Sequence, residues 1–222
     1  MKITWFFLLS ALSFSLQGQV YSYVTEKEGK EITHRILMDE QYLIETQYCS
    51  TPPEFVLTRG GFYTQKGQTM EVSLEFNSNF ETDGIKTIDV QTHPDWKLIS
   101  NSALDLNGKW LMAGRVTDNG ENRRNIAAPR KTMKFLKDGY FQWIAFNTES
   151  FQFFGSGGGF YTAENQKYTE HIEYFSRNNE TVGKVLPFSY DLKEPDWYHS
   201  GTSSKGEPMR EIWTKRMDNP LQ

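Results

Sequence analysis

The chain has little of what most familiar chemistries require. A single cysteine, Cys49, excludes an internal disulfide framework, and nothing around it suggests the adjacent base that a nucleophilic thiol would need. Four histidines, His34, His93, His171 and His199, fall with no ligand-like spacing, so no metal site and no cofactor is expected. Positive charge is also short: 24 Lys and Arg stand against 28 Asp and Glu, a formal charge of −4, which argues against nucleic acid or an anionic membrane as partner. After the first 18 residues no apolar run approaches the length of a membrane span, and no stretch of ten residues keeps an apolar period of 3.6.

Residues 1–18 carry one basic residue, Lys2, then the apolar run Ile3 to Leu12, then small and polar residues, which reads as a secretory signal peptide. The expected location is extracytoplasmic: periplasm, cell surface or secreted. Loss of Lys2 with that segment takes the formal charge from −4 to −5.

What the chain has is aromatic residues, 15% of the total, and a repeat. Gly60-Gly61-Phe62-Tyr63-Thr64 returns as Gly158-Gly159-Phe160-Tyr161-Thr162, and Leu74-Glu75-Phe76 returns as Ile172-Glu173-Tyr174. Pro94-Asp95-Trp96 returns as Pro195-Asp196-Trp197. A period near 100 residues is the size of a whole small domain, so a tandem duplication is expected, with units at 19–106 and 107–222.

Within each unit the pattern alternates with period two. Met70, Val72, Leu74 and Phe76 are expected on one strand face, with Glu71, Ser73, Glu75 and Asn77 on the other. Eight strands are expected in each unit; in the first they fall at 20–27, 32–38, 41–49, 54–64, 69–77, 85–92, 95–100 and 103–106. The fold class expected is all-β, as two tandem antiparallel up-and-down barrels, with one larger barrel as the alternative. The polar loop 117–125 is expected either to fold over a barrel mouth or to stand as a solvated loop with no ligand contact, while 200–208 is assigned no chemistry.

The second unit resembles a known group. Gly108-Lys109-Trp110, Arg130-Lys131, Phe135 through Trp143, Gly157 through Tyr161, Tyr168 through Tyr174, and Glu211-Ile212-Trp213 are similar to lipocalin-like secreted proteins of Bacteroidetes, a family with a domain of unknown function. The resemblance spans about residues 105–217 and implies a calyx-type barrel and a bacterial periplasmic or surface location. It implies no activity.

Several residue sets bear on function. Trp110, Trp143, Tyr161, Tyr190, Trp197 and Trp213, with Phe154, are the candidate pocket lining, and Glu170 and Arg130 are the candidate polar contacts. Glu170 replaces Val72 of the first unit; facing inward it would need a partner such as Tyr168, Tyr190, Arg130 or a ligand group. His171 and Glu173 share the opposite strand face, where an exterior polar ladder competes with acid–base chemistry. Gly155 through Gly159 lacks the Lys-Ser/Thr of a phosphate loop and fits a strand bulge. The leading expectation is a barrel binding a small hydrophobic or amphipathic molecule. The alternatives are a hydrolase or isomerase using Glu170, His171 or Glu173, and a solid-barrel interaction module whose protein partner is unknown.

Overall fold

The computed structural model describes residues 19–100 and 103–217, so the expected signal peptide lies outside the described residues. The N-terminal unit comprises β1 (Val20–Lys27), β2 (Lys30–Met38), β3 (Tyr42–Ser50), β4 (Pro53–Lys66), β5 (Thr69–Asn77), a short helix α1 (Phe80–Asp83), β6 (Thr87–Gln91) and β7 (Lys97–Leu98). The C-terminal unit comprises β8 (Gly108–Thr117), β9 (Gly120–Arg123), β10 (Arg130–Lys137), β11 (Tyr140–Asn147), β12 (Phe153–Glu164), β13 (Lys167–Phe175), a 3-10 turn (Asn179–Thr181), β14 (Val185–Lys193), β15 (Asp196–Thr202) and β16 (Pro208–Lys215). All pairings are antiparallel, as expected of alternating segments joined by short turns.

The C-terminal unit closes. Strands β10 to β16 pair in sequence order, β16 pairs with β8, and β8 returns to β10 through Met133↔Leu111 and Leu136↔Gly108. Eight strands therefore form a ring with no free edge, and β9 extends β8 outside it.

The N-terminal unit departs from the expected second barrel. It is a seven-stranded sheet in the order β6-β5-β4-β3-β2-β1-β7. Its edge strands β6 and β7 are consecutive in the chain, which brings the sheet round on itself, yet they do not pair among the described residues. The reason is length. Residues 103–106 form no strand, and β7 is only two residues long, pairing with β1 rather than β6.

The repeat is visible in the irregularities. Register shifts at Gln47/Tyr48 and Gly60/Gly61 recur at Ala145/Phe146 and Gly158/Gly159, each 98 residues on. At Gly61 and Gly159 a Cβ would collide with the carbonyl oxygens of Ser73 and His171. Glycine is therefore required for close backbone approach, which is the bulge expected from the sequence. The bulge also corrects an expectation. Met70, Val72 and Leu74 pack in one core with Ile36 and Leu43, whereas Phe76 packs on Phe146 in another. The extra residue, Glu75, shifts the phase, so Phe76 emerges on the opposite face.

One face of the N-terminal sheet covers the outer wall of the barrel. Leu37, Tyr42, Ile44 and Phe76 interdigitate with Leu111, Met133, Phe135, Ile144 and Phe146. Gln142 is buried in this layer, accepting a hydrogen bond from Thr46 (2.9 Å) and donating to Thr58 (2.8 Å) and Ser156 (2.9 Å). Equivalent residues are used reciprocally. Arg216 binds Glu75 and lies over Tyr42, while Arg35 binds Glu173 and lies over Tyr140. Apolar faces of two sheets are thus buried against each other with their polar groups paired. Cys49 is buried and free.

Candidate functional site: the barrel mouth

Inside the barrel, alternation places Trp110 and Met112 of β8, Leu136 of β10, Phe141 of β11, Tyr161 of β12, Tyr168 and Ile172 of β13, Phe188 and Tyr190 of β14, Trp197 of β15 and Trp213 of β16 in a single core. One end is packed solid. Leu106 plugs it, its carbonyl accepting from the Trp110 indole at 2.9 Å, and the Tyr161 hydroxyl donates to Asn107 at 3.0 Å. The other end opens into a cavity of about 570 Å³, within the size range of small-molecule sites.

Trp143, Glu170 and Trp213, three of the residues singled out from the sequence, line that cavity. Trp110, Tyr161, Tyr190 and Trp197 belong to the core at and behind its floor. Arg130 and Phe154 lie elsewhere: the Arg130 guanidinium sits 3.4 Å from the Phe154 ring centroid, and neither residue borders the cavity. Arg130 starts β10 two residues before the cavity-lining Thr132, at the strand end.

Glu170 points inward and is only 4% exposed. Of its expected partners Tyr168 is present, its hydroxyl donating to Oε1 at 2.9 Å, but the cation is Lys134, whose ammonium donates to the same oxygen at 2.6 Å. Lys134 is itself buried, with the rings of Tyr168, Trp197 and Trp213 within 5.3 Å of its nitrogen and Phe188 at 5.8 Å. The ammonium is held by a carboxylate on one side and by ring faces around it, which offsets part of its desolvation. A neutral amide at position 170 would leave that ammonium without its paired charge, so Glu170→Gln costs stability as well as any binding.

A second buried polar pair stands beside the first. His199 Nδ1 is 3.6 Å from Glu211 Oε2, and the Trp213 indole donates to that oxygen at 3.2 Å. Burial, reinforced by the charge of Lys134, pushes His199 down to about 4, so the ring is neutral near pH 7. Burial raises Glu211, but contact with His199, the Lys134 charge and the Trp213 N–H outweigh it and hold the carboxyl below its ordinary range. Among the described residues, both ring nitrogens of His199 and the Trp197 indole nitrogen are buried without a hydrogen-bond partner.

Lys134, His199 and Glu211 were missing from the sequence-derived set, although period two points to them. Leu136 faces inward, so Lys134 does too; Trp197 carries His199, and Trp213 carries Glu211. The two loops also exchange roles. Loop 117–125 contains β9 and is tied to the outer wall, Arg123 pairing with Asp196 and the Tyr198 hydroxyl donating to Glu121. The segment 200–208 supplies Ser203, Ser204, Lys205 and Glu207 to the cavity rim.

His171 and Glu173 are outside the barrel. His171 stacks on Phe160 at 4.2 Å, and Glu173 pairs with Arg35 at 2.9 Å, so that carboxylate serves the layer between the units. Among the described residues no cluster of three or more His, Cys, Asp or Glu could hold a metal ion, and no helix is long and apolar enough to cross a membrane. No protein of curated function matches the chain. The family model described as "Domain of unknown function (DUF4488)" matches residues 105–220, which takes in every strand of the closed barrel and more than half of the 222-residue chain. The chain therefore belongs to the DUF4488 family.

Proposed function

We propose that this protein is an extracytoplasmic, lipocalin-like binding protein, built by tandem duplication, whose C-terminal barrel takes a small amphipathic molecule through its open mouth. The observation that carries this reading is the cavity of about 570 Å³ at one end of a closed barrel whose other end is packed solid. Ring faces of Trp143 and Trp213 and the Phe188 side chain offer apolar contact, while the buried Lys134–Glu170 pair and Glu211 offer polar contacts at the floor. An open cavity weighs against a solid interaction module. The outward placement of His171 and Glu173 weighs against their acid–base chemistry inside the barrel. The apolar run at residues 3–12 supports export.

Native mass spectrometry of the mature protein purified from its own host, before and after organic-solvent extraction, tests this reading. A reproducible bound mass that disappears on extraction is expected. An unliganded mass before extraction, together with no saturable binding of any apolar probe, would overturn it.

A further inference from the structure

We infer that the molecule taken by the barrel is an amphipathic anion, oriented with its acid group at the rim and its apolar body inside. This rests on the reading of the barrel as a binding site and specifies the ligand class.

The first ground is charge. The cavity is bordered by five cations, Arg115, Lys134, Arg177, Lys184 and Lys205, against three carboxylates, Glu170, Glu207 and Glu211, in a chain whose formal charge is −4. Lys134 is committed to Glu170 at the floor. The other four are exposed, and among the described residues none of them is in an ion pair. Elsewhere on the surface Lys30, Lys66 and Lys193 each hold a carboxylate at 2.6 to 3.0 Å. The available contacts at the rim are neutral: Lys184 donates to the Ser204 carbonyl at 3.3 Å, and Arg177 donates to the Phe154 carbonyl at 3.0 Å with its guanidinium 5.3 Å from the Trp143 ring centroid. Cations gathered around a low-dielectric opening raise the local concentration of anions.

The second ground is orientation. An acid group entering first would arrive at Glu170 and Glu211, two buried carboxylates beside only one ammonium. An acid group left at the rim meets only Glu207 among four cations, while Ile172, Phe175, Leu186 and Met209 line the wall between for an apolar body. The floor carboxylates then favour a hydroxyl or another hydrogen-bond donor at the ligand's inner end.

The test uses two probes with the same anilinonaphthalene body, one carrying a sulfonate and one uncharged: anilinonaphthalene sulfonate and phenylnaphthylamine. Each is titrated into the intact chain, read by energy transfer from tryptophan. The expected result is that the sulfonate binds about tenfold more tightly, and that Lys184→Glu combined with Lys205→Glu removes that advantage without changing the affinity of the uncharged probe. Both substitutions are at exposed positions, and an unchanged thermal unfolding curve confirms that the fold is intact. Saturable binding of both probes with equal affinity, or an advantage that survives the double charge reversal, would overturn the anion assignment while leaving the binding site standing. Saturation by neither probe would overturn both.

Discussion

The two units use one frame and fill it in opposite ways. At equivalent places near the mouth, the N-terminal sheet has His34, Glu45 and Arg59 where the barrel has Thr132, Trp143 and Gly157. Deeper in, the sheet has Ile36 and Val72 where the barrel has Lys134 and Glu170. In the sheet Arg59 pairs with Glu45 at 2.8 Å, His34 lies 3.3 Å from Glu45, and Tyr23 stacks on His34 at 4.2 Å, so that region is filled by side chains satisfying one another. Burial raises the Glu45 carboxyl, but the His34, Arg59 and Gln47 contacts outweigh it and hold the group at about 2. In the barrel the buried ion pair, Lys134 with Glu170, lies at the floor, and Gly157 stands at the position of Arg59. The buried ion pair therefore sits at a different height along the strands in the two units.

The largest effect should come from unpairing the floor. Glu170→Leu leaves the Lys134 ammonium buried without its counter-charge and should cost about 3–5 kcal/mol in urea unfolding. Adding Lys134→Met gives the barrel the apolar depth of the N-terminal sheet and should restore most of that loss. A double variant as unstable as the single would break the comparison.

Acid should separate the units. His199 is at about 4 in the folded chain against an ordinary 6.5, so the unfolded state takes up a proton first as pH falls, and stability is complete above 6.5 and lost between 6.5 and 4. The loss is about 3 kcal/mol. Glu45, at about 2 against 4.5, contributes stability that is complete above 4.5 and is lost only between 4.5 and 2. His199→Phe should flatten the upper window of an unfolding-versus-pH series and leave the lower one unchanged. An upper slope that persists in this variant would assign it to other groups.

Next in size, Gly61→Ala and Gly159→Ala each force a Cβ onto a backbone carbonyl at the same bulge and should cost about 2 kcal/mol apiece. Markedly unequal losses in calorimetry would show that the two bulges are not mechanically equivalent. The smallest change is expected at β9, outside the closed ring. Arg123 is exposed there, and Arg123→Ala should alter the thermal midpoint by the equivalent of less than about 1 kcal/mol.

Period two is a local property, and it located strands such as β1 and β5 from the sequence alone. It could also have found Lys134, His199 and Glu211, whose neighbours at i±2 are large apolar residues facing inward. Phe76 was not legible, because a bulge inserts one residue and changes which face follows, and Arg130 was misplaced because alternation gives the face of a strand but not its height along the barrel.

The sequence by itself determined an all-β chain, the repeat and its glycine bulges, and the apolar stripes that became cores, since all of these depend on residues near one another in the chain. Only the tertiary structure decided which unit closes, because the β8–β10 pairing joins strands separated by the β9 hairpin, whereas the two-residue β7 turns to β1 and leaves the outer edge of β6 without a partner strand among the described residues. It also decided that Lys134 meets Glu170 and that Arg59 pairs with Glu45, whereas the space beside Gly157 is taken by the Trp143 and Phe175 side chains. Those outcomes depend on side chains meeting across strands, and the periodicity along a single strand does not encode which distant strand supplies the partner.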